Sequence, residues 1–390
     1  MFETAASLIF WICVLSIAYA YLGFPLLVMM VGKLRNRSVL KAPVTPLLSL
    51  IIAAYNEEEC IGGRIENALA GDYPAEGLEI IIASDGSSDG TEAVVESYAD
   101  RGVRLLSLPR QGKILALAAA VRESTGDVLV FSDANTVVHP RALREMAGNF
   151  ADAEVGGVVG HTGYWIEEGS ESSSRGENSY WRYDTWIKEL ESRTGSVVSA
   201  HGGLYALRRE LFQPPTDTAV TDDFYISTGV VEGGFRLVFE PEARAFEAAV
   251  KTSEREFSRR VRLMTRGLRG VWLRRGLLNP FEYGFYSLSL FSHKLLRRLL
   301  PIAMVLLLAA SALLASSHPF YAVALGAQVV FYALGVVGYL STSTGAGRWK
   351  LFYLPFFFCM ANVASLLAVL RFLRGDRVTL WQPQRHAVQR

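Results

Sequence analysis

Residues Ser7–Val31 read SLIFWICVLSIAYAYLGFPLLVMMV and carry no charged side chain. No other feature limits the fold as strongly. About 20 successive apolar residues are enough to cross the core of a bilayer. A secretory signal peptide is the competing reading. It needs a basic segment first and an apolar core of roughly 7–15 residues. Only Glu3 precedes this run, and the run is longer. The first segment therefore reads as a transmembrane anchor.

Three more apolar stretches follow at Leu299–Ala315, Phe320–Leu340 and Leu351–Leu370, with nothing comparable between Lys33 and Lys294. The plan expected is an N-terminal anchor (1–41), a soluble domain (42–275), an interfacial amphipathic segment (276–298), and about three spans with a basic tail (299–390). Composition agrees. Hydrophobic residues make up 51% of the 390 positions and charged ones 20%, against about 25% charge in a soluble domain. Lys33, Arg35, Arg37 and Lys41 follow the first span, and Lys294, Arg297 and Arg298 precede the second. Basic residues on both flanks place the soluble domain in the cytoplasm of a multi-pass inner-membrane protein.

Two points stay open. Three full spans after the domain would put the tail outside, yet Arg371, Arg374, Arg377, Arg385 and Arg390 crowd it. Either one segment does not cross, or the charge rule is broken there. The stretch NPFEYGFYSLSLFSHKLLRRLL, beginning at Asn279, reads either as an interfacial amphipathic segment or as the start of the next span.

Several classes drop out. A net charge of +1 gives no pull on nucleic acid. Cys13, Cys60 and Cys359 are too far apart for a zinc site or a disulfide framework. The candidate spans hold no charge, which disfavours a transporter.

The soluble domain alternates β-rich runs (47–55, 78–83, 103–108, 128–131) with helical stretches (57–69, 91–98, 113–122). Such alternation implies βαβ units and a mainly parallel sheet, an α/β fold. Ligands of these sheets bind beyond the carboxyl ends of the strands. Those ends read AYNEE from Ala54, SDGSSDGT from Ser84 and SDANT from Ser132. One DGS is an ordinary turn; three such ends in one unit point to a ligand. Neither a dinucleotide fingerprint nor a phosphate loop is present. The Ser-rich stretch 167–178 reads as a polar surface loop.

This ordered set, with Gly112-Lys113 and Thr221-Asp222-Asp223, resembles the family 2 glycosyltransferases of GT-A fold. The likeness is to the membrane-embedded cellulose, chitin, hyaluronan and poly-N-acetylglucosamine synthases, and it covers about Pro46–Trp272. It implies a GT-A nucleotide-diphospho-sugar transferase domain set between membrane helices. By the same likeness Tyr55 and Glu57 would line the base, Asp85 would bond the uracil ring, and Lys113 would approach the base or diphosphate. Asp133 would contact the ribose or a metal, and Asn135 would hold Mg²⁺ or Mn²⁺. Asn135 stands where the family's motif has a second carboxylate.

On the acceptor side the likeness implies His201, Gly202, Asp222 and Arg259, with Asp223 as general base. An acceptor hydroxyl must lose its proton as it attacks, and one carboxylate at hydrogen-bond range can take it. Asp222 is expected to cap the next helix. Arg262 would face the diphosphate. Arg259 and Leu263 replace a Gln and a Trp of the processive enzymes' motif, while Arg260, Arg266 and Arg269 suit lipid headgroups. A lone His such as His201 also suits a structural role near a turn.

The activity implied is inverting transfer from a UDP-sugar to a glycan at the inner membrane face. The alternatives are transfer of a single sugar to a lipid or lipid-linked acceptor, or a non-catalytic nucleotide-sugar-binding protein working with export partners.

Overall fold

The computed structural model describes residues 2–165, 172–214, 216–248, 252–342 and 349–377. Its centre is an eight-stranded mixed sheet in the order β3-β2-β1-β4-β7-β6-β8-β5. The strands are β1 (Leu48–Ala54), β2 (Leu78–Asp85), β3 (Val103–Leu108), β4 (Val128–Asp133), β5 (Val137–Val138), β6 (Val155–Trp165), β7 (Leu204–Arg208) and β8 (Arg236–Ala248). β3, β2, β1 and β4 are parallel. β7 pairs antiparallel with both β4 and β6.

β1 shows why the run is apolar throughout. Every residue of it is buried. Leu48, Leu50 and Ile52 enter one hydrophobic cluster, Ile51 and Ala53 the other. A parallel strand covered on both faces has no polar side to spare. Register then aligns the functional ends. Ala53 stands beside Asp133, Ala54 beside Ser84, and Asp85 beside Leu108.

The helices follow in chain order. Glu3–Arg35 (α1) is the first apolar helix, with a π turn at Tyr19–Gly23. Glu58–Leu69 (α2), Thr91–Glu96 (α3), Lys113–Glu123 (α4) and Ala142–Gly148 (α5) cover the sheet. Ser172–Thr194 (α6) is a long helix. It corrects part of the loop expected at 167–178: residues 172–178 are helical, and 167–171 lie outside the described residues. Asp222–Glu232 (α7) and Ser253–Leu273 (α8) complete the domain.

Phe285–Leu314 (α9), Pro319–Leu340 (α10) and Lys350–Arg374 (α11) are long and apolar enough to cross a membrane, as is α1. The chain is thus a membrane protein. α9 begins at Phe285, so the expected amphipathic segment runs on into the span, and His293, Lys294, Arg297 and Arg298 lie within it.

The first apolar helix and the linker after it are fastened to the sheet domain by apolar packing and by ion pairs. Phe24 and Val28 of α1 pack on Ile187 and Leu190 of α6. A Cβ at Gly32 would stand only 3.3 Å from the Leu190 carbonyl, so glycine permits that approach. Past α1, Lys41 pairs with Glu145 at 3.1 Å and Glu240 at 2.7 Å, and Arg37 with Glu154 at 2.7 Å. Two of the flanking cations therefore dock the linker onto the domain.

Candidate active site

Four strand ends supply the site. The first two are tied together by short polar bonds. Asn56, held at φ 54, accepts the Ser88 amide at 2.8 Å, and Glu57 donates its amide to Thr91 Oγ1 at 2.8 Å. The Glu57 carboxylate is nearly buried and accepts the Cys60 thiol at 3.1 Å. Asp85 is fully buried. It accepts the amides of Gln111 at 2.7 Å and Gly112 at 2.9 Å, and the Arg110 guanidinium. The carboxylate expected to meet a base thus organises the loop before α4 in this structure. Arg110 in turn lies 3.3 Å over the Tyr55 ring. Tyr55 and Arg110 thus form a stack at this strand end, and Arg110 was not among the residues singled out from sequence.

The charged centre lies at β4. Lys113, the first residue of α4, places its ammonium 2.6 Å from Asp133 Oδ1 and 2.8 Å from Asp222 Oδ2. Burial works against the charge on Lys113, but the two carboxylates outweigh it and raise its pKa. Asp222 is opposed by burial too, yet Lys113 and Arg266 hold it below its usual value. Burial pushes Asp133 up, with Lys113 pulling the other way. Buried Arg64 on α2 also acts on Asp133; burial lowers that guanidinium to about 10, and it stays a cation at neutral pH.

Asp223 differs from its neighbour. Burial and the adjacent Asp222 charge raise it to about 6. Its Oδ1 accepts the Phe224 amide at 2.7 Å. Thr221 is the residue at the N-cap of α7, with no side-chain capping bond, so the expected capping role of Asp222 is corrected. Asp222 is paired with Lys113 instead. Gly202 closes the centre from above: a Cβ there would stand 3.2 Å from Asp133 Oδ2 and 3.6 Å from Lys113 Nζ.

Asn135 and Asp133 have oxygens to give a cation. Asp133 Oδ2 and the Asn135 carboxamide accept no hydrogen bond among the described residues. Two hard oxygens at one strand end fit Mg²⁺ or Mn²⁺. Arg262 is half-buried and makes no hydrogen bond or ion pair among the described residues.

The other α8 arginines have partners. Arg259 and Arg260 both hold Glu256, at 2.9 and 2.5 Å. Arg269 pairs with Asp217 at 2.7 Å, and Arg266 donates to the Val220 carbonyl at 2.9 Å. The lipid-headgroup reading of Arg266 and Arg269 is therefore corrected. They hold loop 217–221, which delivers Asp222 and Asp223. Leu263, by contrast, is 38% exposed.

His201 stands at the membrane side. Its Nε2 lies 3.3 Å from Asp184 of α6, which also pairs with Lys188 at 3.0 Å and approaches His293 at 3.4 Å. Burial and the Lys188 charge lower His201 to about 3, against the pull of Asp184, so it is neutral at physiological pH. His293 reaches Glu191 at 2.8 Å. Asp184, Lys188, Glu191 and His293 form a buried polar network that sequence reasoning missed. Their spacing in α6, at i, i+4 and i+7, put them on one helical face and was the available signal.

A mainly parallel sheet with these carboxylates at its switch from parallel to antiparallel is the arrangement of a GT-A domain. Residues 49–214 match the model of Glycosyl transferase family 2. Hyaluronan synthase of Streptococcus pyogenes is 28% identical over 221 residues, covering 50% of this chain and 51% of that protein. An N-acetylglucosaminyltransferase of Azorhizobium caulinodans is 26% identical over 225 residues, 52% of this chain and 55% of that one. The chain spans about half the length of these relatives. Among solved structures, mannosyltransferase PcManGT of Pyrobaculum calidifontis, in complex with GDP-Man and Mn²⁺, superposes with TM-score 0.71 at 23% identity. That match covers 95% of this chain and 100% of the other, and shows the shared fold.

Proposed function

We propose that the protein is an inverting glycosyltransferase that moves a sugar from a nucleoside diphosphate, UDP first among those to test, to an acceptor presented at the inner membrane face, with its catalytic domain in the cytoplasm. One observation carries this reading. Two adjacent carboxylates at the head of α7 have been given different protonation behaviour, Asp222 by Lys113 and Asp223 by burial. A carboxylate whose pKa lies near 6 is suited to accept a proton at neutral pH. The acceptor oxygen attacks the anomeric carbon, the bond from that carbon to the diphosphate oxygen breaks, and the hydroxyl proton passes to Asp223. The nucleoside diphosphate leaves with the bonding electrons.

Tyr55 and Arg110 would flank the base, with Glu57 and Asp85 bracing the loops around it. Asp133 and Asn135 would hold the divalent cation, which when bound neutralises diphosphate charge. Lys113 and Arg262 would supply fixed positive charge to the leaving group. The relatives named as a hyaluronan synthase and an N-acetylglucosaminyltransferase, and the GDP-Man and Mn²⁺ held by PcManGT, support a sugar nucleotide and a cation of this kind.

Leu263 and Arg259 favour a second, narrower reading, transfer of one sugar to a lipid-linked acceptor without polymerisation. The side chain at 263 offers no ring on which an acceptor sugar would stack.

Purified protein incubated in turn with UDP-, GDP- and dTDP-sugars, with nucleoside diphosphate release measured, tests the proposal. Release from one donor, lost in Asp223→Asn, is the expected result. No release from any donor by protein that binds nucleotide would count against it.

A further inference from the structure

Three cations gather where α6 meets α9: Lys188 on α6, and Lys294 and Arg298 on α9. Lys294 is half-buried and makes no hydrogen bond or ion pair among the described residues. It lies within electrostatic reach of Asp223 and His201, and both Arg298 and Lys188 repel it. The nearby anion Asp184 is already shared among Lys188, His201 and His293. A half-buried cation held among like charges is costly unless an anion joins it.

The place of this cluster limits what that anion is. The Tyr19 hydroxyl meets Ser292 Oγ at 2.9 Å, and Arg297 lies 5.9 Å from the Tyr21 ring and 5.6 Å from Tyr183. Tyrosines mixed with basic residues mark the headgroup level of a membrane protein. Arg298 reaches toward α8: its guanidinium lies over Gly267, where a Cβ would stand 2.5 Å from it. Beyond Arg298 the same face of α9 carries Ile302, Val305 and Leu306, all exposed. Spacings of four, seven and eight residues keep them in line with Arg298.

We propose that Lys294 and Arg298, at the mouth between α6, α8 and α9, form a subsite for the phosphate of a lipid-linked acceptor, whose hydrocarbon tail follows the Ile302–Val305–Leu306 stripe. Phosphate suits the site better than a carboxylate because it stays anionic when it joins lipid to sugar, and its two non-bridging oxygens can be shared between the two cations. The phosphate is a binding handle and takes no part in the bond exchange. The proposal deepens the narrower reading of the site and rests on it for which end of the acceptor reacts.

The full chain in phosphatidylcholine nanodiscs is titrated with farnesyl phosphate, and in parallel with farnesol, inorganic phosphate and phosphatidylglycerol. Farnesyl phosphate is expected to bind saturably, with the other three weaker. Lys294→Gln should weaken it by roughly tenfold or more, the scale of a charge-assisted bond, and Lys294→Arg should restore most of the loss. UDP affinity, measured in the same preparations, should be equal in all three proteins and certifies their fold. Equal farnesyl phosphate binding by Lys294→Gln overturns the proposal. Equal binding of phosphatidylglycerol would mean an ordinary headgroup contact, and equal binding of inorganic phosphate a free-anion site; either also overturns it. Failure of the wild type to release nucleoside diphosphate would count against the transferase reading and leave this comparison standing.

Discussion

Asp222 and Asp223 are adjacent in sequence and opposite in chemistry, and the difference can be measured. Asp223 titrates near 6 because it is buried beside another carboxylate. Its unprotonated form is the one that accepts a proton, so kcat/KM should fall as pH drops through about 6. Asp223→Asn should cost about 10²-fold or more in turnover, the usual scale for a positioned base, while UDP affinity measured by calorimetry holds. The same shift has a stability sign. A carboxyl raised above its unfolded value is destabilising where it is charged, above pH 6, and the penalty disappears as pH falls. Asp223→Asn should therefore melt higher than wild type at pH 8, and the gap should narrow as pH falls from about 6 toward 3.8. Lys113 is the opposite case. Removing it strands Asp133 and Asp222, and Lys113→Met should destabilise by roughly 3 kcal/mol in denaturant titrations. Adding Asp222→Asn to Lys113→Met should recover part of that loss, because one stranded charge is gone.

At the scale of elements, α8 acts as a strap. Arg266 and Arg269 hold the Val220 carbonyl and Asp217 on either side of the turn that delivers the two aspartates. Arg269→Gln should speed amide exchange across 217–221 and lower turnover more than it alters donor KM; unchanged exchange would reject the strap. The first half of the domain was legible as elements from the chain alone. β3 was expected at 103–108 and is found there; α4 was expected at 113–122 and ends one residue later. Buried parallel strands have one reading, since the apolar run and its polar end leave no alternative. The second half was not. Serines and glycine at 172–178 signal a loop, yet tertiary packing of Ile187 and Leu190 on α1 carries the helix through them. The capping role expected of Asp222 failed for a related reason: the side chain that claims it, Lys113, lies more than 100 residues earlier. Partners of that kind leave no trace in spacing.

At the scale of the molecule, α11 keeps company with α8 along much of its length. Phe257 packs with Phe356, Phe357 and Met360, and Arg260 lies 4.7 Å over the Phe357 ring. Ser365 Oγ donates to the Arg298 carbonyl at 3.0 Å, where Arg298 meets Gly267. Arg377 then acts on Asp217, the partner of Arg269. α8 carries six arginines, Arg255, Arg259, Arg260, Arg262, Arg266 and Arg269, and a helix so charged does not cross hydrocarbon. We predict that α11, which packs on α8 as well as on α9 and α10, ends on the side where α8 lies. The tail arginines that conflicted with three full spans then fall where the charge rule wants them. Cysteine reporters test this in a chain whose native cysteines are serine. Asp376→Cys should label from the side that labels the catalytic domain, and Ser316→Cys from the opposite side. Parity follows. Three crossings, by α1, α9 and α10, would be an odd number, and Glu3 and Arg377 would then face different compartments.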